Sequence, residues 1–191
     1  PAKQAVCTKL KRENNLDYKP SQVLLTVGGK EALYLATMAL VDPGDEVILP
    51  APYWVSYPEQ VGLAGGKVVY VQGKESNSFK LTAQEIANAI TPKTKVLIFN
   101  SPSNPGGFTY SPEEVQAIAK VVEGKNIVVF SDEMYDRLLY GNQRFQSFAA
   151  CGPKAYEQTI TFNAGSKTYS MTGWRIGYAA GPESIIKAMA K

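Results

Sequence analysis

The 191-residue sequence contains no histidine. That removes every mechanism built on an imidazole base and every metal site that needs a histidine ligand, and no metal is expected. Cysteine is nearly absent too. Cys7 and Cys151 match no metal or redox spacing, so two free thiols are expected. The net charge is only +3, and the basic residues are scattered, which leaves no footprint for nucleic acid or an anionic membrane surface. No apolar run approaches the roughly 20 residues of a membrane span, and no signal peptide is visible. A cytoplasmic protein with neither nucleic-acid nor membrane partners is expected. What remains is 45% hydrophobic and 19% charged residues, a globular composition long enough for one domain with a sizeable core.

Short β-branched runs at Glu46–Leu49, Val68–Val71, Lys95–Phe99, Ile127–Phe130, Thr159–Phe162 and Ile176–Ala179 read as strands. Helical patterns at Lys30–Val41, Trp54–Ala64, Thr82–Ile90 and Pro112–Val122 fall between many of them. Ser111-Pro112-Glu113-Glu114 is a strong helix start, with a capping hydroxyl, proline at the first position and acids in the first turn. The alternation predicts an α/β fold with three α/β/α layers around a mostly parallel sheet. There is no internal repeat, low-complexity tract or linker. The sequence starts at Pro1 and stops at Lys191 within a helical pattern lacking a stop signal, so it reads as an internal piece of a longer chain.

In such sheets ligands gather beyond the carboxyl ends of the strands, and three chemically suggestive residues follow three strands: Asn104, Asp132 and Lys167. Lys167 sits in the run Asn163-Ala164-Gly165-Ser166-Lys167-Thr168, with Arg175 eight positions on. A lysine among small and hydroxylated residues, with a phosphate-binding arginine nearby, suits an imine with a phosphorylated aldehyde such as pyridoxal 5'-phosphate. That cofactor needs a buried carboxylate at its ring nitrogen, and Asp132 ends a very apolar strand. It needs donors at its phenolic oxygen, for which Tyr135 and Asn104 are candidates, and an aromatic neighbour for its face, for which Trp54 is the candidate. Its phosphate needs donors: Gly28, Gly29 and Lys30 at a helix start, Ser166 and Arg175. Burial beside the arginine would disfavour a charged lysine, so a buried setting for Lys167 is expected. Taken singly, each residue has an ordinary explanation. Asp132 also reads as a helix cap, Trp54 as core, Tyr135 and Asn104 as turn residues, and Gly28-Gly29 as a plain turn.

The segments Thr26–Lys30, Asp42–Val47, Ala51–Pro58, Asn100–Gly107, Ser131–Tyr135 and Ser166–Tyr178 together resemble the class I, fold-type-I aminotransferases. The likeness is greatest to the bacterial-type aspartate aminotransferases, and it covers nearly the whole sequence. It implies that residues 1–191 are a pyridoxal-phosphate-binding large domain, without the amino-terminal arm and carboxyl-terminal small domain. By the same likeness Lys167 is the Schiff-base lysine, Asp132 meets the pyridine nitrogen, and Asn104 and Tyr135 meet the ring oxygen. Trp54 stacks on the ring, Gly29, Lys30 and Arg175 meet the phosphate, and Trp54 and Asn104 face the substrate. Cis peptides are implied before Pro52 and Pro105. Two positions depart from the family pattern. Gly106 replaces a usual threonine, loosening its loop, and Ala164 replaces a serine that binds phosphate in many members.

The activity implied is exchange of an amino group between an amino acid, with aspartate leading, and a 2-oxo acid, 2-oxoglutarate, by a ping-pong route in a homodimer. This stretch alone is expected to show weak activity or none, because the arginine for the substrate α-carboxylate lies outside it. A β-lyase, an aminocyclopropane-carboxylate-synthase-like enzyme and an aminotransferase-like regulatory domain are alternatives that share the constellation.

Overall fold

The computed structural model describes Pro1–Lys191. Helix α1 (Ala2–Asn14) precedes strand β1 (Val23–Val27), and α2 (Gly29–Leu40) leads to β2 (Glu46–Ala51). Next come α3 (Ser56–Leu63), β3 (Lys67–Gln72), α4 (Ala83–Ala89), β4 (Thr94–Asn100), α5 (Pro112–Val122) and β5 (Val128–Asp132). The chain closes with α6 (Pro153–Gln158), β6 (Thr159–Ala164), the single turn α7 (Gly165–Thr168), β7 (Ile176–Ala180) and α8 (Glu183–Met189).

The strands form one sheet in the order β1-β7-β6-β5-β4-β2-β3. Strands β6, β5, β4, β2 and β3 pair in parallel, while β7 runs antiparallel to both β6 and β1. The mostly parallel sheet read from the sequence is present, with α1, β1, α6 and α7 added. Alternate residues of the central strands enter opposite cores. Val96 and Ile98 of β4 pack under α2 and α8, and Leu97 and Phe99 pack under α4 and α5. Both faces are therefore covered, which is why these strands read as unbroken apolar runs.

Local chemistry fixes the helix ends. Ser111 Oγ accepts the Glu114 N–H, and the Glu114 carboxylate accepts the Ser111 N–H, forming the reciprocal cap of α5. Thr82 and Glu85 do the same for α4. No helix is long and apolar enough to cross a membrane.

Candidate active site

Parallel strands β4, β5 and β6 end side by side, so the last residues of each share one rim. Asn100 pairs in register with Asp132, and Asp132 with Phe162. Beyond this rim lies a cavity of about 240 Å³. Asp132 forms its floor together with Asn100 and Tyr57, and Lys167, Tyr135 and Asn104 line its sides. Trp54, Lys30 and Gly29 reach it from the α2 and α3 side, and Ser166 and Arg175 from the turns after β6. Nine of the ten site residues read from the sequence thus line one cavity. The tenth, Gly28, lies at its edge behind the Arg175 guanidinium.

Asp132 is 4% exposed. Its Oδ2 accepts the Tyr57 hydroxyl at 2.6 Å and its Oδ1 the Met134 N–H at 3.2 Å. Burial pushes its pKa up to about 6, against the lowering effect of those two donors. The Met134 contact closes a turn after β5, and no helix begins there, so the helix-cap reading of Asp132 is not met. Burial likewise raises the Tyr135 phenol, with the Asp132 charge adding and the Asn104 amide opposing.

At the other end of the cavity, Gly28 adopts φ 81°, a conformation open to glycine, and precedes α2. Its neighbour Arg175 adopts φ 52°, rare for a residue with a side chain. Arg175 Nη1 donates to the Thr172 carbonyl at 3.0 Å. Lys30 Nζ stands 5.0 Å from the centre of the Trp54 ring, and Trp54 meets Tyr57 edge-on at 5.4 Å. Gly177 allows the close approach that brings these parts together, because a Cβ there would overlap the Gly28 and Gly29 backbone.

Lys167 Nζ lies 5.8 Å from the Tyr135 ring centre. The burial expected for Lys167 is not found. The residue is exposed, because α7 is a single turn on the rim and nothing in residues 1–191 lies over it.

Sequence reasoning missed Tyr57, Asn100, Leu33, Met134 and Thr172. Two of these had a signal. Tyr57 lies three residues after Trp54 at a helix start, one turn on, and Asn100 ends β4 as Asp132 ends β5. Asn100 Nδ2 donates to the Asp132 carbonyl at 3.0 Å, and its Oδ1 accepts the Asn104 N–H at 2.8 Å. It thereby ties the Asn104 loop to the floor. The peptide bonds before Pro52 and Pro105 are cis, and so is the one before Pro102. At Gly106 a side chain would meet the Phe108 ring, which occupies that space. Ala164 lines the cavity wall without a polar atom to offer.

A family profile described as "Aminotransferase class I and II" matches residues 2–191. The chain belongs to this family. It is 52% identical over 187 residues to an aspartate aminotransferase of Bacillus subtilis (strain 168), covering 98% of this chain and 48% of that protein. It is 50% identical over 188 residues to a probable aspartate/prephenate aminotransferase of Rhizobium leguminosarum bv. phaseoli, covering 98% and 47%. Among solved structures, the aspartate aminotransferase from Rhizobium meliloti superposes with a TM-score of 0.96 at 43% identity, covering 98% of this chain and 47% of that one. The Thermus thermophilus aspartate aminotransferase with maleate gives 0.93 at 46%, covering 98% and 48%. The chain spans about half the length of the relatives it matches.

Membership in this aminotransferase family implies pyridoxal phosphate, and the cavity suits that group. A buried carboxylate stands at one end. At the other, a Cβ at position 28 would overlap the Arg175 guanidinium, so glycine lets that planar cation lie against the backbone at the start of α2, a pairing of N–H groups and cation that suits an anion.

Proposed function

We propose that the protein is a pyridoxal-phosphate-dependent aminotransferase that moves an amino group from aspartate to 2-oxoglutarate by a ping-pong route, as a homodimer of the longer chain. The observation that carries this reading is the single cavity with Asp132 at its floor, Arg175 at its mouth and Lys167 between them. The printed names of the relatives support the amino-acid class, and the aspartate/prephenate aminotransferases among them support a wider range of amino acceptors.

Pyridoxal phosphate, when bound, supplies an aldehyde carbon that takes up amino groups and a protonated ring that withdraws electrons from the carbon losing its proton. Asp132, 4% exposed, would hold the ring nitrogen's proton by charge attraction in a site closed to water on the sheet side. Tyr57 and the Met134 N–H hold Asp132 in the orientation that serves this. Tyr135 and Asn104 would donate to the phenolic oxygen, and Trp54 would lie against the ring. Gly28, Gly29 and Lys30 at the start of α2, with Ser166 and Arg175 from the turns after β6, would hold the phosphate with N–H, hydroxyl and cationic groups. Lys167 would hold the aldehyde carbon, and as a free amine it would accept the proton released by the substrate α-carbon, becoming an ammonium.

The test is an absorbance spectrum of the full-length protein with pyridoxal phosphate, before and after borohydride, with peptide mapping of the reduced adduct. The adduct is expected on Lys167, and an adduct on any other lysine overturns the assignment. Asp132→Ala should keep the adduct and collapse turnover, and undiminished turnover removes its role. Conversion of the chromophore by aspartate, reversed by 2-oxoglutarate, supports transfer. Ammonia release points instead to a lyase.

A further inference from the structure

The acid and the amine of the site stand on separate turns. Asp132 ends β5, a central strand, whereas Lys167 sits in α7, four residues long and without a side-chain cap. One helical turn has no stability of its own, so α7 must be held by what it touches. Two hydrogen bonds join its segment to the turn after β5. Asn163 Nδ2 donates to the Glu133 carbonyl at 2.8 Å, and Thr168 Oγ1 donates to Asp136 Oδ1 at 3.2 Å.

The acceptor of the second bond is unusual. Asp136 is 2% exposed and belongs to no part of the cofactor cavity. Its other oxygen is paired with Lys9 Nζ, from α1, 127 residues earlier in the chain. Lys9 also donates to Asn14 Oδ1 at 2.9 Å, and Asn14 Nδ2 donates to Glu133 Oε2 at 3.0 Å. A carboxylate buried and paired in this way only accepts hydrogen bonds. The Thr168 hydroxyl therefore has one direction in which to point, and that fixes the backbone of the residue next to Lys167.

We propose that Asp136, paired with Lys9, is a positioning residue for Lys167. It acts through Thr168 and anchors the amine-bearing turn to α1. The inference rests on Lys167 being the cofactor-bearing lysine, and it assigns a use to an ion pair that the cavity itself does not need.

The test compares the full-length protein with its Thr168→Val, Thr168→Ser and Lys9→Met variants. In the cofactor-free state, Thr168→Val and Lys9→Met are expected to speed amide hydrogen exchange in residues 163–171 by about fivefold, and Thr168→Ser to leave it unchanged. With pyridoxal phosphate, the first two are expected to lower kcat about tenfold through misplacement of the amine. The amino-acid KM should stay within about twofold, and the visible circular dichroism of the lysine-bound cofactor should weaken. Thr168→Ser, which keeps the hydroxyl, should behave as the parent. Parent-like exchange and dichroism in Thr168→Val would overturn the proposal, as would a Thr168→Ser variant impaired as much as Thr168→Val. If Thr168→Val does not fold, Lys9→Met tests the same link from the far side, and parent-like values there overturn it. A parent protein whose reduced adduct maps away from Lys167 refutes the function proposed above. A Lys167 adduct with parent-like variants refutes only the positioning role.

Discussion

Replacing Tyr57 with phenylalanine removes one hydroxyl from a 2% exposed ring and isolates one oxygen of Asp132, to which it donates at 2.6 Å. In the cofactor-free protein, burial raises Asp132 from an ordinary 3.8 to about 6. At about 1.4 kcal/mol per tenfold change in acidity, the folded state gains roughly 3 kcal/mol from keeping this proton when the unfolded chain would release it. That contribution is present in full below pH 4 and is lost as the pH rises through 6. A hydrogen bond to a charged acceptor is worth about 1.5–3 kcal/mol, and to a neutral one about 0.5–1.5. Tyr57 therefore stabilises the carboxylate more than the acid, by roughly 1 kcal/mol. Tyr57→Phe should destabilise the protein by about 1 kcal/mol at pH 4.5 and about 2 kcal/mol at pH 8. The loss of stability with rising pH should also continue toward about pH 7. Urea unfolding of the cofactor-free protein at the two pH values measures the difference. Repeating it in an Asp132→Asn background should erase the pH dependence of the Tyr57 effect. Equal destabilisation at both pH values, or a pH-dependent effect that survives Asp132→Asn, would refute the assigned link.

Arg175→Ala should weaken pyridoxal phosphate binding by about 10- to 100-fold, the loss of a charge-assisted fork, while leaving the weaker binding of phosphate-free pyridoxal unchanged. Equilibrium dialysis with both ligands checks this, and equal losses for the two would remove the arginine from the phosphate. Gly177→Ala should cost at least about 2 kcal/mol, since the new Cβ meets the backbone of Gly28 and Gly29, which cannot swing aside as a side chain can. A fall in unfolding free energy under about 0.5 kcal/mol would mean that β7 shifts freely. Ser111→Ala should cost about 1 kcal/mol through loss of the α5 cap. Urea titration measures it, and an unchanged midpoint would show that Pro112 and the α5 packing hold the helix start without Ser111.

The central fold was legible because two signals coincided. Strands buried on both faces must be apolar at every position, and β4 (Val96, Leu97, Ile98, Phe99) carries that signal. Helix α5 matched its expected ends, Pro112 and Val122, because its cap is written in adjacent residues. Helix α3 begins at Ser56 rather than Trp54, with no side-chain cap to mark its start. The edge was less legible. Strand β1 carries only five residues, of which Val23 alone is buried, so its apolar signal is short and weak. Helix α1 has charged and polar residues at most positions and buries only Cys7, Leu10 and Asn14. Its amphipathic signal is weak because much of its hold is polar, through Lys9 and Asn14.

The same division governs the site. Lys167, Ser166 and Arg175 could be read because the chain brings them together within ten residues, and Asp132 and Tyr135 because they lie three positions apart. Tyr57 meets Asp132 across 75 residues, and Lys9 meets Asp136 across 127, so no spacing rule announces either pair. What local sequence supplies is most of the groups that line the cavity. What it withholds is the set that aims them, because an aiming residue is defined by its distance in the fold from the group it serves. Asp132 makes the point within one side chain. Its position at the end of an apolar strand could be read, but its pKa is set by burial that raises it and by a distant tyrosine hydroxyl that pulls it back down. An exchange of Tyr57 for phenylalanine would alter a single oxygen atom of the Ala51–Pro58 segment while changing the acidity of a carboxyl 75 residues away.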